Sequence, residues 1–182
     1  MKLSFVFSGS GGQGIMSAGI TLAQAAIDMG KHATYLPEYG PEQRGGSAKC
    51  TVVISDEQII SPLPKYCDNL IVMNEQAFAK YGEDVKKGGI LLSNACRIAD
   101  PGEPEDVTVI SAPVDDLAIE VGNAKTANII LIGILIGATE VVSEDAFKLS
   151  LEEKFKEKKP EILEMNLRAL SKGLEIGKKY KK

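Results

Sequence analysis

The sequence predicts an α/β domain: a mostly parallel sheet in three layers, an antiparallel hairpin excursion after a second glycine-rich loop, and a helical C-terminal third. Three observations predict it. The apolar run 3–7 leads straight into Gly9-Ser10-Gly11-Gly12-Gln13-Gly14 and then into an amphipathic stretch, the strand, turn and helix order of α/β units. A second glycine-rich stretch, Tyr39-Gly40-Pro41-Glu42-Gln43-Arg44-Gly45-Gly46-Ser47, follows a second short apolar run. Beyond residue 113 the apolar residues recur at helical spacing.

The elements follow in order. Residues 3–7 form a buried strand. Residues 14–29 form a helix with Ile15, Ala18, Leu22, Ala25 and Ala26 on one face, closed by Gly30. Residues 33–36 form a second strand, so strands one and two should run parallel as the opening of a βαβ unit. Residues 48–54, the turn 55–57 and residues 58–60 suggest strand, tight turn, strand, stopped by Ser61-Pro62-Leu63-Pro64. Strands are expected at 70–73, 89–93 and 107–110, with a short helix at 75–81 and a solvated loop at 100–106. Helices are expected at 114–121 and 126–139, the latter apolar all round and therefore central. Ser143 caps a third helix. Pro160 opens the last, whose Leu163, Leu167, Leu170 and Leu174 form a docking stripe.

Composition bounds the function. At 182 residues the chain is most simply one domain, 1–182, able to bury roughly 70% of its unfolded surface. It carries 44% hydrophobic and 25% charged residues and a net charge of −4, with a pI near 5.2. That balance gives no support to nucleic-acid binding. The lysines at the C-terminus suit a solvated helix end. Cys50, Cys67 and Cys96 are scattered, without disulfide, zinc or iron–sulfur spacing, and are expected to be buried or half-buried apolar residues. The longest apolar run, 129–138, is about half a membrane span. No signal-peptide pattern opens the chain, so a cytoplasmic protein without membrane contact is expected.

Gly9, Gly11 and Gly14 satisfy G-x-G-x-x-G in the right context for a dinucleotide. The acid that should end the second strand has only Glu38 as a candidate, which follows Pro37 inside a new loop. A tight structural turn, or contact with an anion or partner within a larger assembly, are the other readings. Bare amides at a helix start suit an anion. Arg44, between Gln43 and two glycines, suits a phosphate or carboxylate, or else bridges internally to Glu42 or Glu38. Tyr39 either stacks on a ring or covers its own loop. The lone His32 is expected to pack or face solvent. Asp115-Asp116 and Glu152-Glu153 fit helix faces, and no serine sits in a nucleophile elbow. No self-sufficient catalytic constellation emerges, so the chemistry is carried elsewhere.

The ordered combination of Gly9-Ser10-Gly11-Gly12-Gln13-Gly14-Ile15, Tyr39-Gly40-Pro41-Glu42-Gln43-Arg44-Gly45-Gly46, Ile60-Ser61-Pro62 and Met73-Asn74 with Ala77 and Tyr81 strongly resembles the gamma subunit of 2-oxoacid:ferredoxin oxidoreductases, over essentially the whole chain. The resemblance implies a Rossmann-like domain without catalytic residues of its own. It implies a complex that decarboxylates a 2-oxoacid on thiamine diphosphate, passes the acyl group to coenzyme A and sends electrons through iron–sulfur clusters to ferredoxin. Thiamine diphosphate and the clusters would lie on alpha, beta and delta partner subunits. The second loop looks most like the 2-oxoglutarate enzymes, with the branched-chain 2-oxoisovalerate enzymes close behind. The expected contact residues, toward coenzyme A or sister subunits, are Gly9, Gly11, Gly12, Gln13, Gly14, Tyr39, Gly40, Glu42, Arg44, Gly45, Gly46 and Ser47. The two bends should therefore meet in space and present free N–H donors outward. An isolated chain could pair with itself through the surface meant for its partners. A stand-alone dinucleotide-binding oxidoreductase and a scaffold touching no cofactor are the alternatives.

Overall fold

The first strand, β1 (Lys2–Ser10), is buried from residue 4 to residue 9, because it has a strand on each side and helices or loops on both faces. In the computed structural model, which describes residues 1–40 and 46–181, β1 leads into α1 (Ile15–Asp28), β2 (His32–Tyr39), β3 (Ser47–Ser55), β4 (Cys67–Val72), α2 (Glu75–Tyr81), β5 (Val85–Asn94) and β6 (Thr108–Ala112). Four helices follow: α3 (Val114–Val121), α4 (Ala127–Thr139), α5 (Glu144–Phe155) and α6 (Pro160–Gly177). The strands form one sheet in the order β2-β3-β1-β4-β5-β6.

β1, β4, β5 and β6 pair in parallel, while β3 runs antiparallel to both of its neighbours, β1 and β2. β1 and β2 thus point the same way, as the βαβ pattern predicts, but they are not adjacent: β3 lies between them. The hairpin is therefore β2 with β3, bent at the second glycine loop, rather than a hairpin after it. The Gly40 amide donates to the Ser47 carbonyl at 2.7 Å and closes it. The expected strand at 58–60 does not form. With β1 and β2 on its two edges, β3 has no free edge to pair with. Ile60 is 96% exposed, and Pro62 and Pro64 have no N–H for a ladder.

Helix boundaries follow their local signals. Gly30, at φ +77°, lets α1 close with Gly30 N–H on Ile27 O and Lys31 N–H on Ala26 O, the paired bonds of a Schellman motif. Ser143 Oγ accepts from Ala146 N–H at the start of α5, and Pro160 stands first in α6. Leu170 and Leu174 of the predicted stripe are buried, and Leu163 and Leu167 pack half-buried on the same core.

The sheet's two faces are unequal. Phe5, Phe7, Val52, Ile71, Leu92 and Ile110 face the layer of α1, α4, α5 and α6. Val6, Leu70, Val72 and Leu91 face a thinner cover of α2 and Ile98. α4 is buried from residue 127 to residue 138, in agreement with its unbroken apolar sequence. Cys50 and Cys67 are buried, but Cys96 is exposed, against expectation, in the turn after β5. None of the three is in a disulfide.

Asp68, at the start of β4, ties three segments together. Its Oδ2 accepts from Ser4 N–H at 2.8 Å and from Ser4 Oγ at 2.6 Å, and its Oδ1 meets Lys86 Nζ at 2.9 Å. Burial acts to raise its pKa, but the Ser4 and Lys86 contacts outweigh it and hold the carboxyl below its ordinary value. Its stabilisation is present above the carboxylate range and is lost as pH falls through the lowered value. Asp68→Asn should cost about 1–2 kcal/mol at neutral pH. The gap to wild type should close on acidification, which urea titrations at several pH values would measure.

Candidate functional site

β1 is followed by α1 on one face of the sheet, and β4 by α2 on the other. Where such connections diverge, a crevice opens at the carboxyl ends of the strands. β1 and β4 are adjacent there, with Ser8 opposite Val72 and Met73 N–H donating to Ser8 O at 2.9 Å. The first glycine loop sits over this point.

The loop is held by its own polar groups. Gly12 and Gly14 adopt φ +93° and +76°, a backbone that glycine accepts without strain. Gln13 folds back so that its Oε1 accepts from Ser10 N–H at 2.7 Å. Gln13 N–H in turn reaches Ser10 O at 3.2 Å. Asn74, just after β4, donates from Nδ2 to Ser10 Oγ at 2.8 Å and to Gln13 Oε1 at 3.1 Å. Its Oδ1 caps α2 by accepting from Ala77 N–H. A Cβ on Gly9 would lie 2.5 Å from Gln13 Oε1 and 2.9 Å from Met73 Cβ, so this position needs glycine for close approach.

The two glycine loops do meet. Gly11 N–H donates to Gly46 O at 2.9 Å, and Gly9 and Ser10 lie opposite Ala48 and Ser47. The expectation that the bends present bare amides is corrected in part: the amides of Ser10, Gly11 and Gln13 are used within the bends. Those of Gly12 and Gly14 have no hydrogen-bond partner among the described residues. Tyr39 is 72% exposed. Glu38 pairs with Lys49 at 2.9 Å. Glu42, Arg44 and Gly45 lie outside the described residues.

Beside the first loop lies a cavity of about 820 Å³, walled by Gly12, Gly14, Met73, Ile119, Asn128 and Lys154 among others. Two helices begin at it. Neither α1 nor α4 has a side-chain cap or an acid in its first turn. α4 continues from a 3-10 turn, residues 124–126, whose Lys125 N–H donates to Asn123 Oδ1, so the uncompensated positive end at the cavity is that of α1. Asn128, only 8% exposed, donates to Gly14 O at 3.2 Å and fastens the loop to α4. Lys154 of α5 reaches Ser17 Oγ, and Thr21 Oγ1 at 2.8 Å; burial lowers its pKa. At the outer end Asp115 binds Arg97 Nε at 2.5 Å and Asn94 Nδ2 at 3.0 Å, which makes it a structural anion on α3.

Neither Asn128 nor Lys154 emerges from the sequence as a site residue. Asn128 had a visible signal, since it is the one polar side chain in the run 127–138. Lys154 had none, lying in a charged stretch of α5. Burial pushes the Cys50 and Cys67 thiols up to about 12, so neither supplies a thiolate nucleophile at neutral pH. Among the described residues no three His, Cys, Asp or Glu side chains are grouped to hold a metal, and no helix is long and apolar enough to cross a membrane.

Residues 4–176 match the family model for pyruvate ferredoxin/flavodoxin oxidoreductase. The chain belongs to this family. It is 38% identical over 182 residues to the 2-oxoglutarate synthase subunit KorC of Methanocaldococcus jannaschii, covering 98% of this chain and 95% of that one. The ketoisovalerate oxidoreductase subunit VorA of Methanothermobacter thermautotrophicus is also 38% identical over 92% of this chain, but the chain spans only 35% of that protein's length.

Among solved structures, the keto/oxoacid ferredoxin oxidoreductase gamma subunit from Geobacter sulfurreducens superposes with a TM-score of 0.82 at 34% identity, over 97% of this chain and 99% of that one. The 2-oxoglutarate:ferredoxin oxidoreductase of Magnetococcus marinus, with 2-oxoglutarate, coenzyme A and succinyl-CoA bound, superposes with a TM-score of 0.90 at 27% identity. That match covers 98% of this chain and 31% of that one. These likenesses agree with the α/β sheet and helical C-terminus described above.

Proposed function

We propose that this chain is the gamma-type subunit of a thiamine diphosphate-dependent 2-oxoacid:ferredoxin oxidoreductase acting on 2-oxoglutarate or a branched-chain 2-oxoacid. Alpha, beta and delta-type partners hold the thiamine diphosphate and iron–sulfur clusters, and electrons leave to ferredoxin. This chain completes the active site by offering its glycine loops to coenzyme A.

The observation that carries the reading is the junction of the two loops at the sheet's crevice. The Gly11 to Gly46 bond joins the two loops, and the first of them lines the cavity where α1 begins. Coenzyme A is rich in phosphate oxygens and amide carbonyls, which suit the Gly12 and Gly14 N–H groups at the positive start of α1. Arg44 would add a planar donor fork. The Magnetococcus enzyme, solved with coenzyme A, shares this fold across nearly the whole chain.

Gly12→Ala tests it. Among the described residues a Cβ there meets nothing within 4 Å, so beyond its backbone strain it obstructs what approaches from outside. In the reconstituted complex the apparent KM for coenzyme A should rise about tenfold, equivalent to about 1.4 kcal/mol of lost binding. Decarboxylation of the 2-oxoacid before acyl transfer should proceed normally. An unchanged KM would refute coenzyme A contact.

A further inference from the structure

We propose that Asn74 is a positioning residue: acting through Gln13, it turns the Gln13 Nε2 group outward as a donor to an acceptor group of coenzyme A. The inference rests on the reading that the glycine loop meets coenzyme A.

The hydrogen bonds fix which way each amide faces. Ala77 N–H can only donate, so the Asn74 atom facing it is Oδ1. The Asn74 Nδ2 group is then committed to Ser10 Oγ and to Gln13. Its partner on Gln13 must be an acceptor, hence Oε1, and Ser10 N–H makes the same demand on that atom. Nε2 is left over, with no hydrogen-bond partner among the described residues, on a half-buried side chain that lines the cavity. The start of α2 thus sets the polarity of a group in the loop after β1, across the point where the two connections diverge.

Helix capping and loop positioning separate experimentally because aspartate caps a helix as well as asparagine does. Asn74→Asp keeps the acceptor for Ala77 N–H but replaces the Nδ2 donor with an acceptor. Gln13 must then rotate Nε2 inward, and Ser10 N–H loses its partner. Gln13→Glu removes the outward donor while keeping the acceptor for Ser10 and Asn74. In the assembled complex each variant should raise the KM for coenzyme A about tenfold while kcat at saturation changes less than twofold. The double variant should be no worse than the poorer single, because both act through one group.

Amide hydrogen exchange on the full chain should show faster exchange at Ser10 in Asn74→Asp, with Ala77 still protected. A role limited to capping predicts a silent Asn74→Asp, and that result overturns the proposal. So does an unchanged KM in Gln13→Glu, a variant that leaves the Asn74 contacts in place. If Gly12→Ala raises the KM while these two do not, this inference alone fails; if Gly12→Ala also leaves it unchanged, the coenzyme A reading fails with it.

Discussion

Replacing Gly173 with alanine should lower the unfolding free energy by about 3 kcal/mol, the upper part of the range for overpacking a tight interior. The reason lies where α4 crosses α6. Gly133 and Gly137 on α4 face Gly173 and Gly177 on α6, each pair four residues apart and so on one side of its helix. A Cβ at Gly133 would come within 2.6 Å of Leu170 O, and one at Gly137 within 2.7 Å of Leu174 O. At Gly173 and Gly177 the intruding methyl would press on the carbonyls of Ile130 and Ile134 still more closely. Those neighbours are backbone atoms of a buried helix, which cannot swing aside as a side chain can. The helices would have to separate, and α4 is the central helix of the larger core. Alanine's higher helix propensity, about 1 kcal/mol over glycine, acts against the loss but does not reach it. A urea unfolding curve decides the matter: a midpoint shift worth less than 1 kcal/mol would mean that the two helices are not locked by backbone contact.

Much of this fold is legible in the sequence, and the failures have one cause. α3, the Ser143 cap and the Pro160 start follow from local signals, because helix ends are decided within a few residues. The parallel direction of β1 and β2 follows from the helix between them. The insertion of β3 does not, since pairing depends on which edge is vacant when the chain returns, and no residue in 47–55 states that. The supposed strand at 58–60 came from the same gap: a local turn pattern was given a partner that the sheet had already used. At the site, the glycine loops were visible as glycine, and their meeting agrees with the expectation. The consumption of their amides was not visible. Ser10 N–H goes to Gln13 Oε1, which Asn74 holds from 61 residues away, and Gly11 N–H goes to Gly46 O; Asn74 stands in the sequence only as part of a motif. Gly133, Gly137, Gly173 and Gly177 were equally readable as two spaced pairs, yet their significance appears only when the helices carrying them are seen to cross.

Gly14→Ala should be the most damaging single change to function, with kcat/KM for coenzyme A in the assembled complex falling about a hundredfold. Two physical effects combine at this position. Its backbone lies at φ +76°, where an L side chain costs roughly 1–2 kcal/mol. A Cβ would also stand 2.5 Å from Asn128 Nδ2 and 2.9 Å from Asn128 Cγ. Asn128 is buried at the start of α4 and holds the loop through Gly14 O. It can yield only by giving up that bond and leaving a mostly buried amide without its partner, a further cost on the order of 1–3 kcal/mol. The loop can instead relax by rotating Gly14 out of its left-handed conformation, which moves the Gly12 and Gly14 amides away from the start of α1. Either way the change falls on the loop rather than on the core, because Ile15 and the rest of α1 remain packed against β3. The prediction therefore separates binding from folding: the thermal midpoint should fall by roughly 5–20 °C, leaving the chain folded under assay conditions, while acyl transfer is nearly lost. Restoring space with Asn128→Ala in the same chain should recover part of the activity, since the clash is with that side chain, while the backbone strain remains. If the second change recovers nothing, the contact between the glycine loop and α4 does not shape the site.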